Sequence, residues 1–138
     1  MTDAMDVKDF LFENLGNVDE TRDVKFKRIK KPFKIKALSA ESLTQLRKRA
    51  TTRQLNRQTR LHEQIFDGDK FTSLVMTESV VFPDLNDAQL QKSWGCIGQP
   101  EKMLEKMLLA GEYNALAQEV LDLSGVNDTD ELIEDAKN

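Results

Sequence analysis

The apolar residues change their spacing once along this sequence, and that change constrains the fold more than any other feature. Between residues 24 and 37 apolar and basic residues alternate, as VKFKR before Pro32 and FKIKA after it. A period of two with one apolar face is typical of strands that cover a core on one side. A lone hairpin is only marginally stable in water, so the two predicted strands need helices to pack against.

Elsewhere the apolar residues recur at helical spacing, in short segments separated by glycine and proline. Ser39 is a suitable N-cap for a helix that buries Leu43, Leu46 and Ala50. The same spacing predicts helices from Asp6 to Leu15, from Phe71 to about Val81, after Asn86 or Asp87, after Pro100, from Gly111 to Gly125, and after Asp128. We therefore predict an α+β fold, predominantly α-helical: a single small domain, residues 1–138, with an N-terminal β-hairpin followed by a bundle of short helices.

The first and the central predicted segments differ in their apolar content. The helix from Asp6 to Leu15 places Val7, Phe10, Leu11 and Leu15 on one apolar face. From Thr51 to Arg60, by contrast, only one residue is apolar. A helix that is polar all round is either exposed or not stably formed. We expect residues 51–66 to be an exposed or mobile arm.

Charge is distributed unevenly along the chain. Residues 22–60 hold 14 lysines and arginines against two acids, although the whole chain has a net charge of -4. The basic segment either neutralises the acidic ends within the fold or faces an acidic partner or a polyanion. If the helix continued past Ala50, four arginines would align along one of its faces and could contact phosphates: Arg49, Arg53, Arg57 and Arg60. The segment lacks aromatic residues to stack on bases and the pI is 5.1, so a solvated face or an acidic protein is favoured over nucleic acid.

The sequence contains no pattern that indicates catalysis, a metal or a cofactor. His62 is the sole histidine and has no second ligand at metal-binding spacing, and Cys96 has no neighbouring base. One cysteine cannot form an internal disulfide, and the first ten residues have neither a basic start nor an apolar run. We expect a non-enzymatic protein of a reducing cytoplasm, without a membrane partner and with undetermined oligomeric state.

A stripe of Met103, Leu104, Met107 and Leu108 has two interpretations. Core packing is favoured, but methionines adapt to varied partners and can line a groove for a partner helix. Trp94 has the same two interpretations, with the core again favoured. The predicted partner-binding candidates are Arg49, Arg53, Arg57, Arg60, Met103 and Met107.

Several segments, taken in order, resemble one protein family. They are FKIKAL at 33–38 before a helix, FPDL at 82–85, LQxxWG at 90–95 and MLLxGEYxxL at 107–116. Their order and spacing resemble the XkdN-like tail assembly chaperones of tailed phages and PBSX-type prophages. The likeness runs from about residue 7 to residue 138, and residues 50–70 match least.

The resemblance implies a function that spacing alone does not. Chaperones of this kind bind the long, helical tape measure protein, assist tail tube subunits in polymerising around it, and are absent from the finished particle. The implied location is the cytoplasm of the bacterial host. The resemblance supplies no catalytic residues. The alternatives are a nucleic-acid-binding regulator that uses residues 22–60, and a structural tail component.

Overall fold

The computed structural model describes residues 7–126, which contain short strands and helices in alternation. The strands are β1 (Thr21–Val24), β2 (Phe33–Lys36), β3 (Thr51–Asn56), β4 (Leu61–Phe66) and β5 (Val80–Phe82). The α-helices are α1 (Phe12–Leu15), α2 (Ala40–Arg49), α3 (Gly68–Ser79), α4 (Ala88–Ser93), α5 (Pro100–Met107) and α6 (Ala110–Leu123). This mixture confirms the predicted α+β class, and the helix predicted after Asp128 lies outside the described residues.

A three-stranded antiparallel sheet, in the order β1-β2-β5, forms one side of the domain. The predicted N-terminal hairpin is confirmed, with Thr21 opposite Lys36 and Val24 opposite Phe33. Its first strand begins three residues earlier than the alternation suggested. Phe26 lies in the connecting loop and is buried edge-on against Phe33, with ring centroids 5.6 Å apart. Phe26 thus contributed to the alternation that indicated a strand, although it packs on Phe33 from a loop.

The helices cover one face of this sheet and enclose the core. Helix α6 packs on β1 and β2, and α3 contacts α2, α5 and α6. The largest fully buried side chains include Phe33, Ile35, Met76, Met103 and Leu116. Two ion pairs connect sheet and helix at the surface, where Arg22 Nη1 lies 2.8 Å from Glu119 and 2.9 Å from Asp122.

The predicted starts of α2, α4 and α5 are confirmed. The Ser39 hydroxyl accepts a hydrogen bond from the Ser42 N–H, the Asp87 carboxylate accepts one from the Leu90 N–H, and Pro100 occupies the first turn of α5. The predicted start of α3 at Phe71 is wrong, because Asp67 caps this helix and it begins at Gly68. The side chains of Ser39, Asp67 and Asp87 each accept a hydrogen bond from a backbone N–H that the helix itself leaves unpaired.

Two boundaries differ from the prediction. Helix α3 ends at Ser79, and Val80–Phe82 form the third strand of the sheet, which the helical spacing of this segment had concealed. The break between α5 and α6 falls at Leu108 and Leu109, both with extended backbone, and not at Gly111. The Glu112 carboxylate accepts a hydrogen bond from the Leu109 N–H at 2.8 Å, and this side-chain cap defines the start of α6.

The N-terminal segment does not form the continuous helix that its spacing predicted. A 3₁₀ turn (Lys8–Phe10) and the four-residue α1 are separated by Leu11, whose backbone is extended. Phe10 and Phe12 are 76% and 71% exposed. A helix this short is unstable in water unless its apolar face packs on the domain, and here it does not.

Candidate functional site

An apolar groove lies at the end of the sheet where β1 turns into β2. Its volume is 330 Å³. The groove is lined by Arg28, Ile29, Lys31, Pro32, Phe33, Phe82, Pro83, Leu90, Trp94 and Met107. Nearly all of the lining is apolar, and the two cations stand on the β1–β2 loop. Concave apolar surfaces with a few polar groups at the edge are typical of binding sites.

Trp94, the only tryptophan in the chain, stands at the wall of this groove. It is 37% exposed, so the prediction that it belongs to the core is wrong. Leu90 and Trp94 are four residues apart and so lie on the same side of α4; both line the groove, and Trp94 forms the C-cap of the helix. Phe82, which ends β5, is 46% exposed beside it. Two large aromatic side chains therefore remain available at the groove.

The buried amide of Gln91 holds the wall in place. Its Nε2 donates to the Leu85 carbonyl at 2.8 Å, and its Oε1 accepts from the Gly98 N–H at 2.9 Å. The two bonds connect the loop before α4 to the loop before α5. Burying a polar group costs free energy unless the group is hydrogen-bonded. The Gln91 amide avoids this cost, because its nitrogen and its oxygen each bond a backbone group, one in each loop.

Arg28 fixes the basic loop against the two helices opposite. Its Nη2 donates to the Met107 carbonyl at 2.8 Å and to the Glu112 carboxylate at 2.6 Å. This guanidinium, together with the Leu109 N–H, holds the pKa of Glu112 below its usual range. The same contact raises the pKa of Arg28. Both groups therefore stay charged at neutral pH, and the loop remains at the groove.

Residues 51–66, here called the arm, form an isolated β-hairpin. Strands β3 and β4 pair only with each other, from Thr51 opposite Phe66 to Asn56 opposite Leu61, and their side chains are almost all exposed. The arm is attached at its base, where the Asp67 N–H donates to the Ala50 carbonyl at 2.9 Å. The Phe66 ring lies beside Phe71 on the body.

The predicted helical face of arginines is wrong, because the chain leaves the helix at Ala50. Arg49 ends α2, Arg53 lies within β3, and Arg57 and Arg60 lie at the tip of the hairpin. A six-residue strand is roughly 20 Å long, so the arginines are distributed along the arm and are not aligned at one-turn intervals. Between residues 7 and 126, none of the arm arginines forms an ion pair.

The two predicted methionines differ in accessibility. Met103 is fully buried in the core, so it cannot contact a partner, whereas Met107 lies at the groove. Sequence reasoning missed Phe82, Pro83 and Leu90 as surface residues, because their spacing is equally compatible with a core. These positions do belong to the segments that carry the family resemblance, because FPDL (82–85) and LQxxWG (90–95) contribute much of the groove wall.

Within residues 7–126, the histidine and the cysteine form no second site. His62 is exposed on β4, and Cys96 is buried and free. In the described ranges, no three metal-ligating side chains come together, and no helix has the length and apolar character that crossing a bilayer requires. Tyr113 has its pKa raised by partial burial, without a catalytic partner that the geometry identifies.

Comparison with known proteins gives the groove a context. The model of the phage XkdN-like tail assembly chaperone proteins matches residues 7–137. The chain belongs to this family. A role in tail assembly through protein contacts follows from that membership, and the family suggests a role without catalysis.

Two individual proteins are similar to this chain. Over 108 residues the chaperone is 26% identical to the phage-like element PBSX protein XkdN of Bacillus subtilis strain 168, which covers 78% of this chain and 72% of the relative. The crystal structure of the protein YqbN superposes with a TM-score of 0.68 at 19% identity, covering 88% of this chain and 98% of that one. At this low identity, the superposition shows a shared fold only.

Proposed function

We propose that this chaperone binds the tape measure protein in the apolar groove and assists tail tube subunits in polymerising around it. The observation that supports this proposal is the exposed pair of aromatic side chains, Phe82 and Trp94, which line one apolar groove together with Met107. The protein acts without catalysis, in the cytoplasm of the host.

The groove fits the chemistry of a tape measure chain. The family resemblance implies a long helical partner, and before assembly such a partner exposes apolar faces to water. An amphipathic helix can lay its apolar face into a hydrophobic groove and bury it transiently. Met107 and Trp94 suit such a role, since a flexible thioether and a large ring accommodate partners of differing shape.

The charge around the groove favours an acidic flank on the client. The β1–β2 loop carries five cations and no acid: Lys25, Lys27, Arg28, Lys30 and Lys31. Opposite charges steer encounter and set orientation more than they add affinity. The arm carries three further arginines, Arg53, Arg57 and Arg60, and is the proposed contact for an acidic surface on the tail tube subunits.

The direct test is co-expression of the tagged chaperone with the tape measure and tail tube proteins encoded beside it. We expect the tape measure protein to be captured, and replacing Trp94→Ala together with Met107→Ala to reduce capture at least about tenfold, because burial of each large side chain contributes roughly 1.5–3 kcal/mol. The matched control is Leu61→Ser on the arm, which removes an exposed apolar side chain outside the groove.

The arm is tested separately. Replacing Arg53, Arg57 and Arg60 with glutamate should lower the association rate for tail tube protein and remove its dependence on salt. Binding of nucleic acid by the wild-type protein that falls steeply with salt, and is lost in the same variant, would favour the regulatory alternative instead. Failure to capture either tail protein would refute the proposed function.

A further inference from the structure

The N-terminal segment, residues 7–15, exposes several large apolar side chains to solvent. Val7, Phe10, Phe12 and Leu15 are 62%, 76%, 71% and 69% exposed. The 3₁₀ turn and α1 contact each other, and neither has a substantial contact with any other helix or strand of the described chain. Apolar clusters of this kind on a small soluble protein mark an interaction surface.

The segment and the groove are complementary in both hydrophobicity and charge. Residues 7–15 carry two acids, Asp9 and Glu13, against one lysine. The loop beside the groove carries five cations and no acid. Two phenylalanines flanked by Asp9 and Glu13 therefore match an apolar groove whose edge is basic.

The segment joins the domain at the end of the sheet opposite its own groove. Gly16, Asn17 and Val18 line a depression together with residues 36–39, at the end of the sheet where α2 begins. The groove lies at the other end, near Phe33. Since β2 separates the two ends by four residues, roughly 13 Å, occupancy of the chain's own groove requires the segment to extend back along the sheet, whereas the groove of a second copy requires no such path.

We propose that residues 7–15 of one chain occupy the groove of a second copy, and that a tape measure client displaces them. Two chains exchanging their segments form a closed, two-fold dimer in which both grooves are filled. The displacement rests on the proposed function, whereas the dimer itself does not. In the dimer, the filled groove is protected from nonspecific association. A client that binds the groove competes with residues 7–15, so client binding dissociates the dimer.

The test uses the full chain without any tail protein, so its failure is distinguishable from failure of the proposed function. Sedimentation and light scattering over a wide concentration range give the dimer dissociation constant, and Trp94 fluorescence reports the groove directly. We expect Phe10→Ser with Phe12→Ser to raise that constant by about tenfold or more. Both side chains are exposed within one chain, so the variant should fold.

Two further variants localise the contact. Lys31→Glu should weaken the dimer in low salt and less in high salt, whereas Leu61→Ser on the arm should leave it unchanged. In the wild type, dilution should shift Trp94 emission towards the value of the Phe10 and Phe12 double variant.

Three results would overturn the proposal. The first is a wild type that stays monomeric at every concentration, even if Trp94 emission responds to the double variant, since that response would place the segment in its own groove. The second is a dimer that survives loss of both phenylalanines. The third is a dimer abolished by Leu61→Ser, which would place the interface on the arm.

Discussion

Gln91 offers the sharpest test of how the groove wall is built. Its amide bonds the Leu85 carbonyl and the Gly98 N–H, and it is only 7% exposed. In Gln91→Leu a side chain of similar size fills the space, but both backbone groups lose their partner. A buried unsatisfied group costs about 1–3 kcal/mol. The Leu85 carbonyl is enclosed while Gly98 lies near water, so we expect a total loss of roughly 2–3 kcal/mol.

The assay is urea unfolding followed by circular dichroism, with a thermal scan beside it. A loss of this size should lower the melting temperature by about 10 °C in a domain of this length. Gln89→Leu is the matched control, because Gln89 lies on the same helix with its side chain exposed, and surface changes usually stay within about 0.5 kcal/mol. If the two leucine variants unfolded alike, the Gln91 bridge would not support the wall.

Three further predictions concern the arm, acid stability and the sheet. Replacing residues 52–65 with Asn-Gly should leave helix content intact and the free energy of unfolding within about 1 kcal/mol, measured in urea, because the arm contacts the body only at its base. The hydrogen bonds from Arg28 and the Leu109 N–H lower the pKa of Glu112, so they stabilise the fold at pH values above the usual glutamate pKa. This stabilisation is lost as the pH falls and the carboxylate becomes protonated. Glu112→Gln should therefore flatten the decline in stability between about pH 5 and 3, and an unchanged slope would contradict the role of Arg28. Ser79→Ala should cost about 1–2 kcal/mol, since this buried hydroxyl donates to the Lys36 carbonyl; a cost near zero would contradict it.

Local signals in the sequence were sufficient wherever one residue determines a backbone group. Ser39 and Asp87 start their helices by accepting a backbone N–H, and Pro100 needs no donor in the first turn. Of the hairpin, β2 was predictable, because the alternation extends along the whole of that strand, whereas the alternation before Pro32 overlaps β1 only at Val24. Such features depend on neighbours within a few residues, which the sequence displays directly.

Other features depend on distant partners and were not predictable. Val80–Phe82 has no alternation of its own and becomes a strand because β2 offers it an edge. The arm forms a hairpin because Asn56 organises its turn, with its side-chain oxygen accepting from the Gln58 and Thr59 N–H groups. The polar composition of residues 51–60 does not indicate this turn, because it is equally compatible with an exposed polar helix.

The groove illustrates the same limit at the functional level. Trp94 and Met107 have the spacing of core residues, and only the arrangement of β5, α4 and α5 shows that they line a surface. Met103, four residues from Met107, has the same sequence character and is fully buried. Periodicity identifies an apolar face, but the neighbouring elements decide whether that face is covered.

Site-specific photo-crosslinking tests the central claim most directly. A photoreactive phenylalanine analogue is placed at Met107 in the groove, and at Leu61 on the arm as the matched position, during co-expression with the tail proteins. Mass spectrometry should identify tape measure peptides attached at position 107 and not at position 61. If position 107 captured no tape measure peptide, although the complex could be purified, the groove would not be the client-binding site.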